Sequence, residues 1–343
     1  MMRASAWALE SGAFVMAVAL GVVAASMVLL ATGTPVYQTL AAIYSGALGS
    51  AYALQSSLVY AVPVAFTGLA ACVAFRARIW NIGGEGQMVM GAFGAALVAL
   101  HVPLPGPAVL PAMILSGMAF GALWAFGPAV LKVAFGVNEV LSTLMLNYVA
   151  ILFVDFLVFG PWRDPAGGWP YSPPFPSAAL LPALSADLNV AVVAAPVIAV
   201  LLAVLFRYTP WGYATAVLGH SHPAARYAGM RIGRLTVQVM LLSGAIAALA
   251  GIDQVAGTAG LLYHLPPGYG YFGILVSWLA GHNPLLVLVM ATFYGVLLQG
   301  GDALQIAQVD PSLVRIMQGA IIIFALAGLT LARRRSLSPG AGA

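Results

Sequence analysis

The chain has 343 residues, 62% hydrophobic and only 6% charged, with a formal net charge of +4 and a mean hydropathy of +1.00, whereas an ordinary soluble domain is about 45–50% apolar and about 25% charged. That balance excludes a soluble enzyme domain, a disordered tail and a nucleic-acid reader, and it describes an integral membrane protein. A bilayer core about 30 Å thick takes about 20 apolar residues per helix, so this length holds a helical bundle and little else.

Apolar runs read against their breaks predict an all-α, polytopic bundle of ten membrane helices: 11–32, 57–75, 84–100, 108–131, 139–160, 190–206, 236–252, 258–281, 285–300 and 313–332. The first run follows Arg3 and exceeds the apolar core of about 7–15 residues in a secretory signal, so it is expected to remain as an uncleaved helix. Between the first two runs, Tyr37, Ala41, Tyr44 and Leu48 recur at helical spacing within 36–57, which predicts an interfacial helix on the outer surface. With 38 glycines and 22 prolines, kinked or broken helices that approach closely are expected.

Charge placement sets the orientation. With a cytoplasmic start, the inner segments hold Arg3, Arg76, Arg78, Lys132, Arg207, Arg226, Arg231, Arg234, Arg333, Arg334 and Arg335, and the outer loops hold Arg163, with Arg315 at the outer start of the last run. This asymmetry predicts both termini inside. Ten runs divide into two sets of five, which permits an inverted repeat of two five-helix halves, although the halves share no convincing sequence identity. The whole chain, 1–343, is read as one membrane domain with its core at 11–335. It carries an outer loop at 161–189 rich in proline and aromatic residues and an inner loop at 207–238. The outer loop suits either the lipid interface or a docking partner, and the inner loop is the place for an intracellular partner.

Polar groups at membrane depth are candidates for function. One cluster lies in Arg76-Ala77-Arg78-Ile79-Trp80-Asn81-Ile82-Gly83-Gly84-Glu85-Gly86-Gln87. A helix beginning there places Glu85 in its first turn, where the helix dipole favours a carboxylate. Asn81, Glu85 and Gln87 then either line a gate or brace a helix start, with Arg76 or Arg78 as the expected charge partner of Glu85. A second set is Asn138, Glu139, Ser142, Thr143 and Asn147, in which Glu139, Ser142 and Thr143 share a face and Asn147 follows four residues after Thr143. Such a stripe lines a pathway or hydrogen-bonds between helices. Asp253, Gln254, Ser277, Gln299, Asp302 and Gln305 near run ends are expected to be solvated or helix-capping, and Cys72 to be packing.

The chemistry that is missing narrows the function. The only lysine, Lys132, has no phosphate-loop glycines before it and is followed by Val133, so the chain has no G-x-x-x-x-G-K-[ST] device for nucleotide. His101, His220, His222, His264 and His282 have neither an H-E-x-x-H pattern nor a cysteine partner, so no metal site is expected. A porter driven from outside itself is a serious reading, as is a gradient-driven secondary transporter. A membrane enzyme has no visible nucleophile and base pair.

The motifs carry a resemblance. Phe75 to Gln87 closely resembles the A-F-R-A-G-x-F-N-I-G-x-E-G-Q signature of permease subunits of bacterial ABC importers, in the superfamily that handles branched-chain amino acids and simple sugars. Nucleoside-type members are the nearest match, through Asn138-Glu139-Val140-Leu141-Ser142-Thr143-Leu144-Met145-Leu146-Asn147-Tyr148 and through Gly219 to Met230. Gly268 to Ile274 followed by Leu279 to Pro284 is the fourth match, and the likeness runs from about 57 to 330. Three positions depart from the pattern: Arg78 stands where glycine is usual, and His220 with His222, the latter where asparagine is usual, alters the start of the third motif.

The resemblance implies a multi-pass permease of the bacterial inner membrane that works by alternating access and takes up nucleosides, with simple sugars or branched-chain amino acids as alternatives. It implies no catalytic residues and no cofactor in this chain, with ATP and magnesium held by cytoplasmic ATPase subunits. A second permease, a copy or a related chain, and an extracytoplasmic binding protein or lipoprotein would complete the assembly. The family's ATPase-coupling helix maps onto Gly219, His220, Pro223, Ala224, Ala225, Arg226, Tyr227 and Gly229, where Pro223 is suited to begin a short helix.

Overall fold

The computed structural model describes residues 2–337 except 186 and 267, with side chains described over 12–332 and the same two exceptions. The side chains of Arg3 and of Arg333, Arg334 and Arg335 lie outside that range. Among the described residues the chain is all-α: α1 (Met2–Ala31), α2 (Val36–Ala47), α3 (Ala51–Arg76), α4 (Gly84–His101), α5 (Gly106–Phe135), α6 (Glu139–Phe159), α7 (Ala191–Tyr208), α8 (Pro210–His220), α9 (His222–Tyr227), α10 (Ile232–Ile252), α11 (Tyr269–Leu279), α12 (Pro284–Ile306) and α13 (Pro311–Leu337). Among the described residues, eight helices are long and apolar enough to cross a membrane: α1, α3, α5, α6, α7, α10 with its extension to Ala259, α12 and α13. This is a multi-pass membrane protein.

Two of the ten expected runs differ. The run at 258–281 is not one helix: a π-helical turn over Asp253–Ala259 continues α10, an irregular stretch follows, and α11 has only 11 residues. Apolar content had hidden the break, because Gly260 (φ 70°), Pro266 and Gly268 (φ 128°) interrupt the backbone without lowering hydropathy much. α4 has 18 residues and carries Glu85 and Gln87 in its first turn, which keeps it outside the eight. The expected interfacial helix at 36–57 is α2 alone, because Ser50 Oγ accepts the Ala53 N–H (3.0 Å) and starts α3 there.

The chain divides into two compact units. In the unit formed by 1–57 and 295–343, α1 runs against α13, and Ala25, Leu29, Leu304, Val314 and Met317 form a buried core flanked by Val36 and Ile43. Gln299 Nε2 donates to the Gly46 carbonyl (3.3 Å) in the same unit.

In the unit formed by 58–294, α4 is the axis: every residue from Gly84 to Ala96 is buried. Its Gly- and Ala-rich sequence lets α5 and α10 lie against its backbone. At Gly251 of α10 an added Cβ would strike the Met88 carbonyl of α4 and stand 2.8 Å from the Ala92 nitrogen, so only glycine fits that crossing. Cys72 is fully buried, with Sγ 2.8 Å from the His282 carbonyl, in agreement with a packing role.

Candidate functional site

The residues of the first motif form a joint between α3 and α4. Asn81 is buried in its turn, and its Oδ1 accepts the Gly83 N–H (3.0 Å) and Gln87 Nε2 (3.0 Å). Its Nδ2 donates to Gln87 Oε1 (3.0 Å) and to Ser243 Oγ of α10 (2.9 Å), and that hydroxyl donates on to the Ala70 carbonyl of α3 (2.8 Å). One side chain therefore stitches together the turn, α4 and α10, with α3 joined through Ser243.

The second motif reads the same turn from outside. Asn138 caps α6, and Glu139, Thr143 and Asn147 follow at steps of four on one face. Glu139 Oε1 accepts the Trp80 N–H (3.4 Å), and Thr143 Oγ1 accepts the Ile82 N–H (3.3 Å). Asn147 accepts the Gly86 N–H (2.9 Å) and donates to the Ile82 carbonyl (2.9 Å). Lys132 of α5 closes on Glu139 at 2.6 Å. The stripe is thus spent on backbone groups of the joint. Asn138 stays exposed, bonding the Val140 N–H, and Ser142 folds back on the carbonyls of Asn138 and Glu139, so neither reaches the joint.

Glu85 begins α4 as the sequence indicates, but it is not paired with Arg76 or Arg78. Its Oε1 accepts the Gly268 N–H (2.8 Å) and its Oε2 the Gly270 N–H (2.6 Å). These are free amides at the start of α11, where unpaired N–H groups and the helix dipole together receive an anion. Glu85 is 1% exposed, so the carboxylate is the cap of a broken helix deep in the unit. Thr67 Oγ1 donates to the Tyr269 carbonyl (2.8 Å), and Asn147 Nδ2 reaches the Tyr271 hydroxyl (3.2 Å), which fixes α11 from two further sides. Thr67 and Ser243 carry no spacing signal in the sequence and are visible only in the fold, whereas Tyr271 lies in the fourth motif and only its contact with Asn147 is new.

Arg76 points the other way, onto the α7–α8 elbow. Its Nη2 donates to the carbonyls of Phe206 (3.0 Å) and Gly212 (3.1 Å), its Nε donates to Gly212 (3.3 Å), and the guanidinium lies 4.5 Å from the Phe206 ring centroid. Thr209 caps α8 by accepting the Gly212 N–H (3.0 Å), and Pro210 starts that helix.

The segment 207–238, expected as an inner loop, is largely helical. α8 ends at His220, Ser221 caps α9 by accepting the Ala224 N–H (3.2 Å), and Gly229 (φ 71°) lies just past its end. Within α9, Ala225 is buried while His222, Pro223, Ala224, Arg226 and Tyr227 face outward, with Tyr227 98% exposed. Gly219, one turn back, packs on the Arg76 carbonyl, and a Cβ there would collide with it.

The loop at 161–189 is held by its neighbour. Ser172 N–H donates to the Leu262 carbonyl (2.8 Å), Phe175 N–H to Gly260 (2.7 Å) and Leu181 N–H to Ala256 (2.9 Å). Asp253, Gln254 and Ser277, expected to be solvated or helix-capping, are buried. Asp253 accepts from Asn189 Nδ2 (2.8 Å), Gln254 accepts from the Tyr263 hydroxyl (3.4 Å), and Ser277 meets His282 Nδ1 (3.2 Å). Asp253 and Gln254 lie inside the helical continuation of α10 rather than beyond its end, and Ser277 lies inside the short α11.

Residues 53–326 match the family described as branched-chain amino acid transport system / permease component. The chain belongs to this family. It is 34% identical to the glucose ABC transporter permease protein TsgB13 of Haloferax volcanii, covering 86% of this chain and 87% of that one. It is 30% identical to the guanosine ABC transporter permease protein NupP of Bacillus subtilis, covering 90% of each, and 27% identical to the nucleoside ABC transporter permease protein NupB of Lactococcus lactis, covering 90% and 88%. In this permease three of the four sequence motifs meet in one cluster: the joint, the α6 stripe and the start of α11. The fourth, at α8 and α9, is tied to them through Arg76.

Proposed function

We propose that the chain is the permease subunit of an ATP-driven importer of the bacterial inner membrane, taking up a nucleoside by alternating access. ATP and magnesium would sit in cytoplasmic ATPase subunits, a second permease would complete the pathway, and an extracytoplasmic binding protein would deliver the solute. The observation that carries this reading is the α8–α9 hairpin, a short capped helix that leaves Arg226 exposed and Tyr227 98% exposed on a chain with no phosphate loop of its own. A compact helix with an exposed aromatic and a cation suits a groove on a partner. In this reading Asn81, Glu85, Gln87, Glu139, Thr143 and Asn147 hold the joint in shape, and the solute passes elsewhere. A simple sugar is the second reading, favoured by the relative named for glucose.

Purification of the complex from native membranes tests both levels. Replacing Arg226 and Tyr227 together by alanine is expected to remove the ATPase subunits from the purified complex and to abolish uptake, and retention of both would defeat the reading. Binding of nucleosides and of glucose to the co-purified binding protein separates the two solutes.

A further inference from the structure

We infer that Arg76 is the positioning residue through which the α8–α9 hairpin moves the α3–α4 joint, an inference that rests on the importer reading above. The side chain lies along α8. Its backbone carbonyl packs against Gly219 near the end of that helix, while its guanidinium holds the Gly212 carbonyl near the start. Those glycines are seven residues apart, about 10 Å at about 1.5 Å per residue. One residue of α3 therefore touches α8 along most of its length. The same guanidinium takes the Phe206 carbonyl in the last turn of α7 and lies over the Phe206 ring, so the elbow between α7 and α8 is closed around it.

On its other side Arg76 is the last residue of α3, and Ala77 to Gly83, held by Asn81 and by the α6 stripe, follow immediately. A push on α9 reaches α8 at Ser221, α3 at Arg76, the turn at Asn81 and, through Glu85, the start of α11. The link depends on fork geometry, because two carbonyls from two helices are held at once, and a lysine ammonium on its flexible stem cannot hold both in the same way.

The test uses the complete complex, with its ATPase and binding protein, in liposomes, and reads solute imported per ATP hydrolysed. R76Q is expected to assemble with the ATPase subunits and keep basal hydrolysis while import per ATP falls at least tenfold, with R76K intermediate. Import per ATP at the wild-type level in R76Q overturns the inference. Failure of the importer reading looks different: there the Arg226 and Tyr227 replacements leave ATPase association untouched. Should R76Q not accumulate, spin labels at Tyr213→Cys and Arg78→Cys in the otherwise unchanged chain decide. The distance between α8 and the turn should stay constant to within about 1–2 Å when ATP binds, and sliding of one past the other overturns the inference.

Discussion

Arg78 holds a left-handed backbone, φ 52°, in the turn between α3 and α4. This is the position where the family signature carries glycine, and the departure costs strain: an L-residue in that region loses roughly 1–2 kcal/mol. Arg78→Gly is therefore expected to be neutral or to raise the melting temperature of the detergent-solubilised protein, while Arg78→Val lowers it. A drop with glycine would show that the exposed arginine side chain contributes more than its backbone costs. Glu85 is the opposite case, a residue whose side chain cannot be changed even conservatively. In Glu85→Gln one of the two α11 amides faces an NH2 group instead of an acceptor, and the loss of one charge-assisted bond with a buried donor left unmet predicts destabilisation of about 2–4 kcal/mol. Denaturant unfolding in micelles would measure it. The sequence made the carboxylate conspicuous and its helix-start position correct. It could not name the partner, because backbone amides leave no mark on residue identity.

Among the elements, α4 and α10 lie so close that their contact depends on the absence of a side chain at Gly251. Gly251→Ala is expected to separate the helices and reduce the level of folded protein in membranes sharply, whereas Gly12→Ala, with open space around it, should leave that level unchanged. The long helices were legible because their apolar runs are bounded by charge and proline. α11 was not, because a half-helix beside an irregular stretch is as apolar as a whole one. Asp253 and Gln254 are buried because α10 continues past Ile252 through a π-helical turn, which hydropathy does not mark. The α6 stripe was legible as a stripe at Glu139, Thr143 and Asn147, yet nothing in its spacing distinguishes a wet path from a partner's backbone. That Trp80, Ile82 and Gly86 lie opposite it is visible only in the fold.

For the molecule as a whole, the charge asymmetry of the sequence makes a prediction about sides of the membrane. Cys72 is the sole cysteine and fully buried, so the chain is a silent background for labelling. A thiol at Tyr227 should react with a membrane-impermeant maleimide only in inside-out vesicles, and one at Trp169, which is 73% exposed in the outer loop, only in intact cells with a permeable outer layer. Labelling of both from one side would invalidate the orientation and with it the assignment of α9 to the ATPase face.

The cap on α11 also bears on how the chain is made. Glu85 takes its two amide partners from residues 183 and 185 positions later. At about 5–20 residues per second the carboxylate waits on the order of 10–40 seconds before they exist. During that interval α4 has been delivered to the membrane with an ionised or protonated acid and no capping amides to receive it, and α11 in turn has no anion at its start until it finds Glu85. Synthesis halted anywhere before Gly268 leaves a chain with most of its spanning helices already present and its central acid uncapped. Such a nascent chain is a natural client for membrane chaperones and quality-control proteases.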